Sequence, residues 1–333
     1  MSNQSRLFVG TVGEGLWSLA FENAENTNAA RLSNGLFIEA DVRAIQVHPT
    51  IPDRVFVGTN CGLFRSVDAG STWELLPAGF GTGWPGTTDL TVWSLAISAH
   101  NPNQLFAGTC PSGIYRSTDG GDTWARLNAP LALECGHILY PRVTCIVPDP
   151  TESGTIWVGV EIDGIRRSRD FGETWETLGT GLSSLDIHAI KIILDGAGKK
   201  RILAATNNDL NLSEDNGATW TPCGVKSLFP WAYCRGIAQL PTDPLVLFVG
   251  NGNGPPGSSG ALQISRDGGG TWMQAKLPHV PNSTVWTFAV SPNTPNTIAA
   301  ATVSGYIYVS EDAGLTWSKL DREFGEIRAI AWV

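Results

Sequence analysis

The sequence predicts an all-β protein, a seven-bladed β-propeller whose ring is closed 3+1 by the C-terminal strand. Three observations predict it: an eight-residue phrase that occurs six times, four strand-like segments in each repeat, and a C-terminal segment that supplies a strand missing from the first repeat. The phrase is Ser-x-Asp-x-Gly-x-Thr-Trp, which we call the Asp box. The boxes occupy residues 66–73, 117–124, 168–175, 213–220, 265–272 and 310–317.

The spacing and composition of the Asp boxes are typical of propeller turns. Their first residues are 51, 51, 45, 52 and 45 positions apart, which is the period of a propeller blade. The Asp carboxylate accepts backbone N–H groups, Gly adopts the left-handed conformation, and the Ser and Thr hydroxyls close the hairpin. The Trp supplies an apolar anchor beneath the turn. We therefore interpret the boxes as structural turns and not as ion or sugar sites.

Each repeat contains four short segments with strand-like alternation. In the second repeat these are residues 42–48, 54–59, 62–67 and 72–76, from the innermost strand to the outer edge. The corresponding inner strands of the later repeats are predicted at residues 92–97, 142–147, 187–193, 234–239 and 285–290.

The two ends of the chain complete one blade. Residues 6–11 match the second strand of a repeat, but no inner strand precedes them. The missing strand is at the far end, because EIRAIAWV at 326–333 is similar to VRAIQV at 42–47. Pairing of 327–333 with 6–11 forms a first blade from 6–32 plus 327–333 and leaves only short, protected sheet edges. We predict that residues 1–333 form this single domain.

The six boxes resemble the Asp-box (BNR) repeat of the sialidase-like propeller superfamily, and the chain looks similar to its photosystem II assembly factor-like and xyloglucanase-like propellers. The resemblance covers most of the chain and implies the fold. It implies no single function, because the superfamily includes sialidases, xyloglucan-cleaving glycosidases, sortilin receptors and assembly factors. Sialidase activity is not expected, because the Phe-Arg-Ile-Pro motif is absent and no Tyr–Glu nucleophile pair is identified.

Composition excludes several classes of function. The net charge of −9 over 333 residues argues against general nucleic-acid binding. The N-terminal residues enter a strand almost at once and no run of 18 apolar residues occurs, so neither a signal peptide nor a membrane span is predicted. The six cysteines show no paired spacing and are interpreted as reduced thiols of a cytoplasmic protein.

Long loops indicate which face of the ring carries function. Four long connections gather on the face opposite the Asp boxes, at residues 77–90, 128–140, 222–232 and 250–260. Alignment of the inner strands on their apolar pattern predicts a ring of side chains at that face: Arg43, Trp93, Arg142, His188, Arg235, Trp286 and Arg328. Two residues earlier on each strand stand Asp41, Thr91, Tyr140, Asp186, Tyr233, Thr284 and Glu326.

This ring predicts a positive pocket between aromatic walls. Arginine forks bind carboxylates bidentately, and Asp186 is placed to accept an imidazole N–H of His188. The predicted catalytic residues are His188, Asp186, Tyr140 and Tyr233. The predicted substrate-binding residues are Arg142, Arg235, Arg43, Arg328, Trp93, Trp286 and Glu161. Further candidates in the loops of this face are Cys110, Asn60, Asn207, Glu134, Cys135, His137 and Trp231.

Three interpretations of the ring follow. The first is an enzyme that binds a small carboxylated molecule and processes it by acid–base chemistry, as a lyase, isomerase or hydrolase. The second is a non-catalytic scaffold or assembly factor whose arginine face docks an acidic protein segment. The third is a self-satisfied network that plugs the axis. No cofactor or metal is predicted, because no CxxC or HExxH motif supports Cys135 and His137 as ligands.

Overall fold

Seven four-stranded antiparallel sheets form the blades of a closed ring, as the sequence predicts. The computed structural model describes residues 5–23, 26–77, 90–136, 138–195 and 198–333. One 3-10 turn, Val225–Ser227, lies between blades 5 and 6. No helix in these ranges is long and apolar enough to cross a membrane.

The strands of each blade are lettered a to d from the innermost to the outermost. Blade 1 consists of Ile327–Trp332, Arg6–Thr11, Leu16–Asn23 and Asn26–Arg31. Blade 2 consists of Val42–Val47, Val55–Thr59, Gly62–Ser66 and Glu74–Leu75, and blade 3 of Thr91–Ile97, Leu105–Cys110, Gly113–Ser117 and Ala125–Arg126. Blade 4 consists of Val143–Pro148, Ile156–Val160, Gly164–Ser168 and Glu176–Leu178.

The remaining blades follow the same order of strands. Blade 5 consists of Ile187–Leu194, Lys200–Thr206, Leu210–Ser213 and Thr221–Pro222. Blade 6 consists of Tyr233–Gln239, Leu247–Gly252, Gly260–Ser265 and Met273–Gln274. Blade 7 consists of Val285–Val290, Ile298–Thr302, Ile307–Ser310 and Ser318–Lys319.

The C-terminal strand closes the ring. Ile327–Trp332 pairs antiparallel with Arg6–Thr11, with Val9 opposite Ile330. Each strand a also contacts strand a of both neighbouring blades, so the inner strands form a continuous circle. The 3+1 closure predicted from the sequence is confirmed.

Apolar side chains fill the spaces between blades, and glycines on strand b let the next blade approach closely. A Cβ atom at Gly58 would lie 2.7 Å from Val92 Cγ1, and one at Gly159 would lie 2.6 Å from Ile187 Cγ2. Real Cβ atoms do not make such contacts, so these positions require glycine. The recurrent glycine of strand b therefore sets the distance between neighbouring blades.

Each Asp box forms the same turn between strands c and d. In blade 2, Asp68 Oδ1 accepts hydrogen bonds from Ser66 Oγ and from the Thr72 amide, both at 2.8 Å. Asp68 Oδ2 accepts a third from Thr72 Oγ1 at 2.6 Å, and Trp73 Nε1 donates to the Gly70 carbonyl at 3.1 Å. Gly70 has a φ of 87°, in the left-handed region. The boxes lie on one face of the ring, which we call the box face.

A β-bulge occurs at the same place in every strand a, near the opposite face. The register with strand b skips one residue there, or two in blade 6. The skipped residues are Arg328, Arg43, Trp93, Thr144, His188, Arg235 with Gly236, and Trp286. A bulge changes the direction of its side chain, and bulges are common beside active sites. We call this end of the ring, which also carries the b–c turns, the pocket face.

Candidate functional site

A pocket of about 680 Å³ opens on the axis at the pocket face. Nine of the eleven residues predicted from the sequence as site residues line it: Arg43, Trp93, Arg142, Glu161, Asp186, Tyr233, Arg235, Trp286 and Arg328. Tyr140 and His188 lie outside its wall.

On one side of the pocket, Trp93 lies between two arginines of the neighbouring blades. The guanidinium carbons of Arg43 and Arg142 are 4.8 and 4.7 Å from the centroid of its ring. Arg43 also pairs with Asp41 at 2.9 Å, and Arg142 pairs with Glu161 at 2.8 Å. Both guanidiniums are thus held by a carboxylate and by a ring face.

On the other side, Trp286 lies between Arg235 and Arg328, whose guanidinium carbons are 3.5 and 4.3 Å from its ring centroid. Arg328 forms an ion pair with Glu326. Arg235 differs, because no carboxylate in the described part of the chain lies within ion-pair distance of it. Its Nη1 donates only a long hydrogen bond, 3.4 Å, to the Tyr233 hydroxyl. Arg235 is 8% exposed, and burial lowers the pKa of its guanidinium.

The pocket is therefore less positive than the sequence predicts. Four guanidiniums share it with three carboxylates, those of Glu161, Asp186 and Glu326, and Asp41 pairs with Arg43 without lining the pocket itself. Three of these arginines are neutralised by direct pairs, and Arg235 is the one of the four whose charge is uncompensated at short range. The cavity itself shows that the network does not fill the axis.

The bulges explain why Arg142 and Tyr140 depart from their predicted positions. In blade 4 the bulged residue is Thr144, so the predicted alignment of Arg142 with Arg43 is two residues out of register. Arg142 instead precedes strand a, in the place that Asp41 takes in blade 2. It still reaches the pocket, whereas Tyr140 is two residues farther out and does not line it.

His188 ties two blades together instead of facing the cavity. Its Nδ1 is 2.6 Å from the Cys234 carbonyl oxygen of blade 6, and its Nε2 is 3.4 Å from Asp186 Oδ1. Its side chain is 1% exposed, and burial, with the charge of Arg235, lowers its pKa to about 4. Both imidazole nitrogens thus contact other protein atoms. Of His188 and Asp186, only Asp186 lines the pocket.

Two pocket carboxyls have pKa values displaced in opposite directions. Burial raises the pKa of Glu161, and the nearby charge of Asp186 adds to the rise despite Arg142. Burial also tends to raise the pKa of Asp186, but contact with His188 and the charges of Arg235 and Arg142 outweigh this effect and lower that pKa. Opposed displacement of neighbouring acids is the pattern by which enzymes assign one as proton donor and the other as anion.

The rest of the lining is mostly apolar. It consists of Val12, Ile138, Ile162, Asn207 and Pro255, together with Glu326. Asn207 is one of the loop candidates predicted from the sequence, whereas the apolar residues were not predicted. The long loops 128–140 and 250–260 were a signal for Ile138 and Pro255, and no signal pointed to Val12 or Ile162. His137 and most of the 77–90 loop lie outside the described residues. Within the described ranges, no group of three His, Cys, Asp or Glu side chains is placed to hold a metal ion.

The chain is similar in sequence to xyloglucanases. A xyloglucanase from Paenibacillus sp. is 26% identical over 308 residues, which cover 84% of this chain and 26% of that enzyme. Xyloglucanase Xgh74A from Acetivibrio thermocellus is 25% identical over 311 residues, covering 84% and 32%. An oligoxyloglucan-reducing end-specific xyloglucanase from Emericella nidulans is 31% identical over 144 residues, covering 40% and 17%. The chain thus spans no more than about a third of these relatives, and no family model matches it.

Two groups of solved structures share the fold. The GH74 xyloglucanase from Xanthomonas campestris superposes with a TM-score of 0.63 at 17% identity, over 98% of this chain and 52% of that one. YCF48 bound to D1 peptide superposes with a TM-score of 0.57 at 18% identity, over 93% of this chain and 87% of that one.

These likenesses correct the first functional interpretation. The expectation of an enzyme that processes a small carboxylated molecule is wrong, because the curated relatives are enzymes named for a polysaccharide, xyloglucan. The fold is settled by the same comparisons and by the strand order. The chain is a seven-bladed β-propeller similar to the propellers of xyloglucanases and of YCF48.

Proposed function

We propose that the protein is a hydrolase that cleaves a glycosidic bond in the axial pocket. Glu161 is the proton donor and Asp186 the second carboxylate. One observation carries the proposal: two carboxyls with oppositely displaced pKa values face one pocket, in a chain whose curated relatives are xyloglucanases. Glycoside hydrolysis uses such a pair, one acid to protonate the leaving oxygen and one carboxylate to activate water or attack the anomeric carbon.

The surroundings of Glu161 suit a proton donor. Its side chain is 13% exposed, so the charged form is poorly hydrated and the protonated form is favoured. The ion pair with Arg142 opposes this effect, but it also holds the carboxyl group in one place. Asp186, 18% exposed, is an anion while Glu161 holds its proton at pH values between the lowered pKa of Asp186 and the raised pKa of Glu161.

The volume and the lining residues of the pocket indicate how a saccharide would bind. The volume lies within the range of small-molecule sites, which suits a few sugar rings. The arginines beside Trp93 and Trp286 occupy space over the indole rings, so flat stacking of a sugar on them is not expected. Contacts to the sugar C–H groups come instead from the apolar residues Val12, Ile138 and Ile162.

The test is hydrolysis of xyloglucan oligosaccharides and other glucans, followed by product separation. Glu161→Gln and Asp186→Asn are each expected to lower kcat by about 10²–10⁴-fold with little change in the melting temperature. Glu173→Gln is the matched control, because Glu173 is an exposed acid on the box face of the same blade. Absence of cleavage by the wild-type protein, or a wild-type rate in Glu161→Gln, would refute the proposal.

A second candidate function is docking of an acidic protein segment, without catalysis. The likeness to YCF48, which was solved with a D1 peptide, extends over 93% of this chain and 87% of YCF48. In this reading Arg235, the pocket arginine without a carboxylate partner among the described residues, receives a carboxylate of the segment.

The two candidates separate in a binding experiment. Docking predicts that short acidic peptides bind the wild-type protein, that Arg235→Met abolishes binding, and that Glu161→Gln leaves the affinity unchanged. Failure of acidic peptides to bind at millimolar concentration would exclude docking and leave the hydrolase proposal intact.

A further inference from the structure

Backbone strain marks the rim of the pocket. Six non-glycine residues of the described chain have a positive φ. Four occupy the same position of an Asp box, immediately before its glycine: Ala69, Phe171, Asn216 and Ala313. The other two are Leu139, with a φ of 62°, and Ile162, with a φ of 67°. Leu139 adjoins Ile138, which lines the pocket, and Ile162 lines it directly.

Ile162 is unusual because it is β-branched. The amide of Asp163 donates to the Val160 carbonyl at 3.4 Å, so Glu161 and Ile162 are the central residues of a turn between strands b and c. Only the second of them has a positive φ, which is the type II pattern and strongly favours glycine or asparagine at that position. Other left-handed residues near the b–c turns are glycines: Gly62 and Gly164, which begin strand c in blades 2 and 4, and Gly305 in blade 7. Ile162 is therefore an additional left-handed residue, two positions before Gly164.

The strained turn holds Glu161 at the pocket. The Glu161 amide donates to the Arg142 carbonyl at 2.9 Å, which ties the turn to the start of strand a. The half-buried side chain of Ile162 then lies at the rim next to Glu161 and faces the same cavity. Strain of this kind persists where surrounding structure imposes it, and it concentrates at functional sites.

We propose that Ile162 is a positioning residue: its left-handed backbone turns the Glu161 carboxyl into the pocket, and its side chain shields that carboxyl from water. This inference rests on the proposed role of Glu161 as proton donor. It also assigns the apolar rim formed by Ile138 and Ile162 to the binding of the C–H face of a sugar, next to the bond that is cleaved.

The charges around Glu161 stay constant in a test of this role. The titratable and charged groups that interact electrostatically with the Glu161 carboxyl are Arg142, Asp186, Arg235, Tyr233 and Cys110. None of them is changed by a substitution at residue 162. A change in the titration of Glu161 in such a variant therefore reports on its position and hydration.

The experiment uses Ile162→Asn, because asparagine tolerates the left-handed conformation and removes the apolar shield. We expect the melting temperature to rise by about 1–4 °C as strain is relieved. We also expect the pKa of Glu161, followed by carbon NMR and assigned with Glu161→Gln, to fall towards its ordinary value. With a xyloglucan oligosaccharide, kcat should fall by about tenfold, and the alkaline limb of the pH–rate profile should move to lower pH.

The matched control is Phe171→Asn, which relieves similar strain, φ 61°, on the box face. It should raise the melting temperature without changing the Glu161 titration. An unchanged Glu161 pKa in Ile162→Asn would overturn the inference, because Ile162 would then be strained without positioning anything. The NMR measurement needs no substrate, so the inference can fail while glycoside hydrolysis stands. Absence of cleavage by the wild-type protein would instead refute the proton-donor role on which the inference rests, whatever the titration of Glu161 shows.

Discussion

The box face and the pocket face of this propeller use repetition in opposite ways. On the box face, six turns repeat the same residues and the same hydrogen bonds to the Asp carboxylate; Asp119, for example, is bound by Ser117 and Thr123 as Asp68 is by Ser66 and Thr72. On the pocket face, the backbone repeats a bulge in every blade, but the bulged side chain varies around the ring among Arg, Trp, Thr and His. Side chains that repeat in every blade therefore indicate a role in the stability of the fold. A repeated backbone feature that carries varied side chains indicates a functional site.

The pKa values of the acids also differ between the two faces. Hydrogen bonds from Thr123 and Ser117 lower the pKa of the mostly exposed Asp119 to about 2. Burial raises the pKa of Glu161 in the pocket. An acid held as an anion by its turn stabilises the fold, whereas an acid that retains its proton is suited to donate it.

The largest expected effect concerns the strand on which both faces depend. Deletion of residues 326–333 removes strand a of blade 1 and exposes the edge of Arg6–Thr11 and the inner strands of the neighbouring blades, so we expect aggregation or loss of the cooperative thermal transition. A synthetic peptide of residues 326–333, added during refolding, should restore part of the transition. A soluble truncated chain with an unchanged melting temperature would contradict closure by this strand.

The next effect is the pH dependence of glycoside hydrolysis. The active form has Asp186 ionised and Glu161 protonated. The rate should therefore rise with pH through the pKa of Asp186, below 3.8, and fall through that of Glu161, above 4.5. Outside this window the rate should change about tenfold per pH unit. A rate that keeps increasing to about pH 8 would show that Glu161 is not the proton donor.

A smaller effect is expected on the box face. Asp119→Ala loses three hydrogen bonds at an exposed turn, so the free energy of unfolding should fall by on the order of 1 kcal/mol near neutral pH. Because the folded pKa is depressed, this stabilisation is present above the unfolded pKa of 3.8 and is lost as the pH falls through about 2. The difference between wild type and variant should therefore shrink on acidification, as measured by urea unfolding. Altered hydrolysis in the folded variant would show that the box face takes part in function.

The sequence was sufficient for the fold because the fold is repetitive. The Asp boxes predict the period of the blades, and the match of 326–333 to the inner strand at 42–47 predicts ring closure. Most of the pocket was also predicted, since charged and aromatic residues stand where an axial ring would otherwise be apolar. Alternation of apolar residues does not reveal a bulge, so Thr144 was missed and Arg142 was placed two residues out of register. The strained turn at Ile162 was beyond prediction, because isoleucine is disfavoured in that conformation.

The smallest expected effect distinguishes two arginines that flank the same tryptophan. Arg328 is paired with Glu326, whereas Arg235 is buried against Trp286 without a carboxylate partner in the described part of the chain. Arg328→Met leaves Glu326 with only its longer ion pair to Arg43, at 3.8 Å, and should lower the melting temperature. Arg235→Met removes a buried charge that nothing neutralises directly, so the free energy of unfolding should stay within about 1 kcal/mol of wild type or increase. If thermal unfolding shows Arg235→Met to be the more destabilised of the two, Arg235 is a structural part of the ring, and its charge is not reserved for a ligand.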